Sequence, residues 1–197
     1  MQDKKAILIP DATCHIYNRA NGNEKLFIAD DNYRFFLQKY KEYIFRIADT
    51  FCYCLMPNHF HFLVRIKNEE SLTKTFKVSK NLEGLTSNQF SNFFNAYTKA
   101  FNKQQDRAGN LFMHTFKRKR IKDDKYLVKL VHYIHYNPVE AGLTDNPEEW
   151  KYSSYNAILS GRPTLILRNE VIEWFGDKEN FIYCHKFPPK ETGAQDL

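Results

Sequence analysis

The sequence is short of several things, and each shortage excludes a class of protein. Its 197 residues contain no apolar run of membrane-spanning length, so a helix crossing a bilayer is not expected. The first residues, Met1-Gln2-Asp3-Lys4-Lys5, lack the apolar segment of a signal peptide, and a cytoplasmic location is the expectation. Cysteine is scarce: Cys14, Cys52, Cys54 and Cys184 form no Cys-x-x-Cys pair and do not look like a disulfide framework. Cys52 and Cys54, two apart, read as small reduced core residues on one face of a strand. No internal repeat or low-complexity segment occurs. Aromatic residues, by contrast, make up 16% of the chain, with 17 Phe and 12 Tyr, enough for one core with rings left over for stacking. The net charge of +6 suits nucleic acid as a partner, and the length suits one domain.

Along the chain, residues 13–20 read as a strand closed by Asn21-Gly22-Asn23, with His15, Tyr17 and Arg19 on one face. His15 reads as a solvated or packed histidine, and Arg19 as a candidate phosphate contact. Asp30-Asp31-Asn32 offers caps for a helix over 31–47. Residues 51–56 form a second strand, and the Pro57-Asn58 turn leads back into a third. A helix is expected over 71–82, broken near Gly84. Thr86-Ser87-Asn88-Gln89 then fits a capping box. It opens an amphipathic helix whose stripe, Phe90, Phe93, Phe94, Tyr97 and Phe101, is core. Residues 111–121 read as a strand ending in the basic run Lys117, Arg118, Lys119, Arg120 and, beyond Ile121, Lys122, which suits a phosphate backbone. Asp123-Asp124 caps a helix over 124–137, limited by Pro138. Short helices are expected at 139–142, near 149–160 and at 169–175, the last stopped by Gly176. The polar end, 188–197, is expected to be disordered.

The chemistry gathers in the third strand, Leu55-Met56-Pro57-Asn58-His59-Phe60-His61-Phe62-Leu63-Val64. Strand alternation puts His59, His61, Leu63 and Arg65 on one face and Phe60, Phe62, Val64 and Ile66 on the other. Two imidazoles on a rigid strand make half of a metal site. Downstream, in Tyr133-Ile134-His135-Tyr136-Asn137-Pro138-Val139-Glu140-Ala141-Gly142-Leu143, Tyr133 and Asn137 stand i and i+4 on one helix face, which Lys129 and Lys125 continue upstream. His135 is rotated roughly 200° and His132 about 100° from Tyr133, so neither completes the site.

The two strings together resemble those of the HUH single-tyrosine transposases, in particular the REP-associated tyrosine transposase branch, over residues 13–154. The resemblance implies an α+β chain with a ferredoxin-like antiparallel sheet, helices on one face and the site on its open side. Residues 1–162 would form that HUH domain, with 163–197 an extension belonging to the same unit. It also implies Tyr133 as nucleophile, and His59 and His61 as ligands of Mg²⁺ or Mn²⁺. Asn137 stands where related transposases place a polar third ligand. The implied reaction is cleavage and rejoining of single-stranded DNA, in a hairpin context, through a 5′-phosphotyrosine. Lys117 to Arg120, Lys122, Arg19 and Lys129 are the expected DNA contacts. Tyr136 is the local competitor of Tyr133 should the helix be rotated. Two other readings stand beside this one: a domesticated, non-catalytic hairpin-binding protein, and a metal-dependent hydrolase in which Tyr133 is structural. Monomer and homodimer are both left open.

Overall fold

Four strands, β1 (Thr13–Arg19), β2 (Ala48–Met56), β3 (His59–Ile66) and β4 (Lys117–Arg120), form a sheet in the order β2-β3-β1-β4, every neighbouring pair antiparallel. The computed structural model that shows this describes residues 5–78, 80–113 and 115–187. Helix α1 (Asp30–Tyr43) connects β1 to β2, and α2 (Glu69–Phe76) and α3 (Leu82–Gln104) connect β3 to β4. That is the β-α-β-β-α-β order of a ferredoxin-like sheet, with α2 added. Pro57-Asn58 closes the β2–β3 hairpin, Met56 pairing with His59. Then come α4 (Asp124–Glu140), a 3-10 turn at Pro147–Glu149, α5 (Tyr155–Leu159), α6 (Arg168–Phe175) and α7 (Lys178–Lys186).

Strand alternation divides the apolar residues into two cores. On one face, Phe60, Phe62, Val64 and Ile66 of β3 and Cys14 and Ile16 of β1 pack beneath Phe36 and Tyr40 of α1 and the α3 stripe of Phe90, Phe93, Phe94, Tyr97 and Phe101. The helix layer on this face is the expected one. The opposite face is not wholly open. Its β2 side carries a second core, in which Phe51, Cys52, Cys54, Met56 and Leu63 meet Leu127, Leu130, Val131 and Ile134 of α4, with Ile158, Val171 and Phe181 from the following helices. A register shift between Thr50 and Cys52 lets adjacent Phe51 and Cys52 both join this core. The segment after residue 162 is built into it: Leu167 N–H donates to the Thr50 carbonyl at 2.9 Å, and Arg65 holds Glu170 through two bonds of 2.8 and 3.0 Å.

Several boundaries differ from the sequence expectation. Helix α3 begins at Leu82, ahead of Thr86, because Asn81 caps it: Asn81 Oδ1 accepts the Gly84 N–H at 3.1 Å. Gly84 is needed there, since a Cβ would stand 2.5 Å from the Asn81 amide. The Thr86 hydroxyl is buried and donates to the Leu8 and Glu83 carbonyls, so its capping look is a tertiary tie. Strand β4 is confined to Lys117–Arg120, because 111–113 bond irregularly to the end of β1. Pro138 does not stop α4. The helix runs on to Glu140 and ends in a Schellman motif, Leu143 N–H to Pro138 O and Gly142 N–H to Val139 O, both 2.9 Å, with Gly142 at φ 67. No separate helix at 139–142 exists. Helix α7 has no counterpart in the sequence expectation; of its residues only Phe181 and His185 are buried. The expected disorder of 188–197 lies outside the described residues.

Candidate active site

The uncovered part of the second sheet face is laid out in rows by strand register. Directly paired residues of antiparallel strands point to the same side. One row runs Met56–His59–Arg19, the next Cys54–His61–Tyr17–Lys117, and the third Leu63–His15–Lys119. Helix α4 crosses the β2 and β3 edge of these rows and lowers Tyr133 and Asn137 onto them. The Tyr133 ring meets His61 edge-on, with centroids 5.4 Å apart. Asn137 Oδ1 lies 3.1 Å from His59 Nε2, while its Nδ2 donates to the Tyr133 carbonyl at 3.1 Å. The fold thus brings the pair His59 and His61 to the pair Tyr133 and Asn137, His59 and Asn137 standing 78 residues apart in sequence.

Each imidazole is anchored through Nδ1. His59 Nδ1 lies 2.7 Å from Asn58 Oδ1, and His61 Nδ1 lies 2.9 Å from His15 Nε2. Burial holds His61 well below the ordinary imidazole range, helped by His15 and His59. Burial also lowers His59, against the Asn137 contact and with the Arg19 charge. A neutral His59 carries one proton between two nitrogens that both face amide oxygens. With that proton donated to Asn58, Nε2 and Asn137 Oδ1 are two acceptors facing one another at 3.1 Å. A cation satisfies such a pair, and two ligands in cis positions about 2.1 Å from an octahedral ion stand about 3 Å apart. The donor set therefore fits Mg²⁺ or Mn²⁺, with His61 Nε2 as the third protein donor. Among the described residues no group of three or more His, Cys, Asp or Glu side chains could hold a metal, so the amide is essential to this reading.

Burial raises the Tyr133 phenol above its ordinary range, the Asn137 amide opposing in part. Tyr136 turns away and stacks on His132 at 5.1 Å. The basic run divides by alternation. Lys117 and Lys119 share the histidine face, Lys117 Nζ lying 5.7 Å from the Tyr17 ring centroid and Lys119 Nζ 4.6 Å from that of Tyr126. Arg118 points to the other face, where its Nε donates to the Ala6 carbonyl at 2.7 Å and its guanidinium lies over Phe116. Arg120, also paired on that other side, and Lys122 are exposed and line a cavity of about 690 Å³ with Ile7, Ile9 and Tyr126. Arg19 is exposed beside His59, and Lys129 is exposed one turn before Tyr133. Two residues of the site escaped the sequence reading, His15 and Tyr17. Both were placed on one strand face, but only the register of β1 against β3 shows that it is the histidine face.

The four-stranded ferredoxin-like sheet, the His-Phe-His strand and the helix tyrosine above it are the features that carry the resemblance to the HUH single-tyrosine transposases. Comparison with known proteins narrows it. No family model matches the chain. A protein of Haemophilus influenzae named as a REP-associated tyrosine transposase is 29% identical over 111 residues, 55% of this chain and 59% of the relative. The chain thus matches less than two thirds of that relative's length. A solved REP-associated tyrosine transposase bound to a REP hairpin superposes with a TM-score of 0.57 at 16% identity, over 84% of this chain and 90% of the other. In sequence and in fold alike, the chain is similar to the REP-associated tyrosine transposases, the branch its motifs resemble.

Proposed function

We propose that this chain is a DNA transposase that cuts and rejoins single-stranded DNA beside a hairpin, in the cytoplasm, through a 5′-phosphotyrosine. The observation that carries the reading is the convergence of His59 Nε2 and Asn137 Oδ1, 3.1 Å apart, with His61 and Tyr133 alongside. His59, His61 and Asn137 would hold Mg²⁺ or Mn²⁺, which when bound polarises the scissile phosphate and offsets its developing charge. Tyr133 Oη forms the new bond to phosphorus as the bond to the 3′-oxygen breaks. The phenol gives up its proton and the departing 3′-oxygen takes one up, so one ester replaces another and no water is consumed. The covalent link retains the ester for rejoining. Arg19, Lys117 and Lys119 lie on the same face and suit the flanking phosphates. The hairpin is the ligand of the solved relative and is proposed here by that likeness.

Incubation with hairpin-bearing single-stranded DNA from the gene's own flanks, with Mn²⁺, tests this. A denaturation-resistant protein–DNA adduct is expected. Tight DNA binding without cleavage would instead make the protein a hairpin-binding module. Cleavage without an adduct would make it a hydrolase.

A further inference from the structure

We propose that His15 is a positioning residue: through its Nε2 it holds the Nδ1 proton of His61, and so turns the His61 Nε2 lone pair toward the metal. The proposal rests on the metal reading above. His15 is 0% exposed and sits on β1 one diagonal step from His61, with Nε2 and Nδ1 2.9 Å apart and the rings nearly parallel at 5.1 Å. Two neutral imidazoles joined by such a bond share one proton. Ligation through Nε2 consumes that lone pair, so the shared proton must then reside on His61 Nδ1 and be accepted by His15. Partners of this kind fix the tautomer and ring orientation of a ligating histidine.

Packing alone does not account for a histidine here. His15 Nδ1 is buried with no hydrogen-bond partner, an uncompensated cost that Leu or Phe would avoid. The groups around the pair are Tyr17, stacked on both rings at 4.7 and 5.8 Å, and the Lys119 ammonium on β4, whose charge disfavours a second proton on His15. Leu63, paired with His15, is apolar. No carboxylate bonds either ring among the described residues, so the His15–His61 bond is what orients His61.

Mn²⁺ titration followed by EPR, on wild type, His61→Ala, His15→Leu and His15→Gln, tests the proposal without using cleavage. Loss of His15 at a partner position of this kind should weaken Mn²⁺ binding about 10–100-fold. His15→Gln, whose amide oxygen can accept the same proton, should stay within a few-fold of wild type. ¹⁵N spectra of the Mg²⁺-loaded wild type should show His61 protonated on Nδ1, a readout that stands even if His15→Leu does not fold. A folded His15→Leu that binds Mn²⁺ as wild type does, or a His61 protonated on Nε2 in the loaded state, overturns the role of His15 alone. If wild type takes up no Mn²⁺, or His61→Ala binds it equally well, the metal reading itself falls, and this proposal with it.

Discussion

Two clusters of three histidines flank helix α4, and they differ in where their hydrogen bonds end. One, His132, His135 and His185, lies between α4 and α7. His185 Nδ1 donates to the Phe181 carbonyl at 2.7 Å, its Nε2 meets His135 Nδ1 at 3.0 Å, and His135 Nε2 meets the Ser154 hydroxyl at 2.7 Å. Ser154 in turn accepts the Tyr53 N–H of β2. That chain is closed at both ends by the protein. The other cluster, His15, His59 and His61, runs from a buried end at His15 to His59 Nε2, 3.1 Å from Asn137 Oδ1, with Tyr133 edge-on to His61. Five of the six rings are buried, His59 being half-buried, and desolvation lowers all six, so depressed basicity does not tell the clusters apart. Direction does. His135 and His185 spend both ring nitrogens on the protein, whereas His59 turns Nε2 toward Asn137 on the uncovered part of the sheet face; His132 takes part in neither network.

Exchanging the roles of the clusters by mutation should give the largest effect. His61→Ala should lower the rate of adduct formation about a hundredfold or more, whereas His132→Phe should leave it near wild type in a gel-based cleavage assay. Equal losses would erase the distinction. Next, Asn137→Ala should raise the Mn²⁺ concentration needed for cleavage about tenfold while the protein stays folded, and Asn137→Asp should recover much of it. An unshifted titration in a folded Asn137→Ala protein would reduce Asn137 to its bond with the Tyr133 carbonyl. Smaller again is the effect on DNA affinity of the divided basic run. Lys117→Ala should flatten the salt dependence of binding by a slope of about 1, with Lys119→Ala adding less because Lys119 is buried and its Nζ donates to the Tyr126 hydroxyl at 3.2 Å. Arg118→Ala should leave the slope unchanged, because its guanidinium already serves the Ala6 carbonyl.

The smallest effect concerns stability. Both ring nitrogens of His132 are buried without partners. His132→Phe keeps the stack on Tyr136 and should stabilise the fold by about 1–3 kcal/mol at neutral pH. Burial brings this imidazole down from 6.5 to about 4. The unfolded chain therefore takes up a proton that the fold refuses. Stability is full above pH 6.5 and falls as pH drops toward 4, by about 1.4 kcal/mol per unit for one such group. The Phe variant should escape that part of the acid loss in thermal melts. A lowered melting temperature at pH 7 would show that His132 has a partner of its own.

Much of this arrangement is local and was therefore legible in the chain. Alternation in His59–Ile66 separates the histidine face from the core face, and i, i+4 spacing ties Tyr133 to Asn137. The hairpin at Pro57-Asn58 and the α3 aromatic stripe are equally local. What could not be read depends on register and tertiary ties. His15 joins the site only through the β1–β3 pairing, and Lys117 and Arg118 part company only because β4 pairs with Tyr17 and Ile16. The sequence places the end of α4 too early, because Pro138 lies in a last turn whose carbonyls are satisfied by Gly142 and Leu143. The second core is hard to read because its C-terminal helices are short and bury only one or two apolar residues each.

The two clusters each hold a tyrosine, Tyr133 edge-on to His61 and Tyr136 stacked on His132, and that pair gives the most direct test. The measurement is peptide mapping by mass spectrometry of the covalent adduct formed with hairpin DNA and Mn²⁺, on wild type, Tyr133→Phe and Tyr136→Phe. The account predicts phosphotyrosine at Tyr133 in wild type and in Tyr136→Phe, and no adduct in Tyr133→Phe. An adduct on Tyr136, or one that survives in Tyr133→Phe, would contradict it.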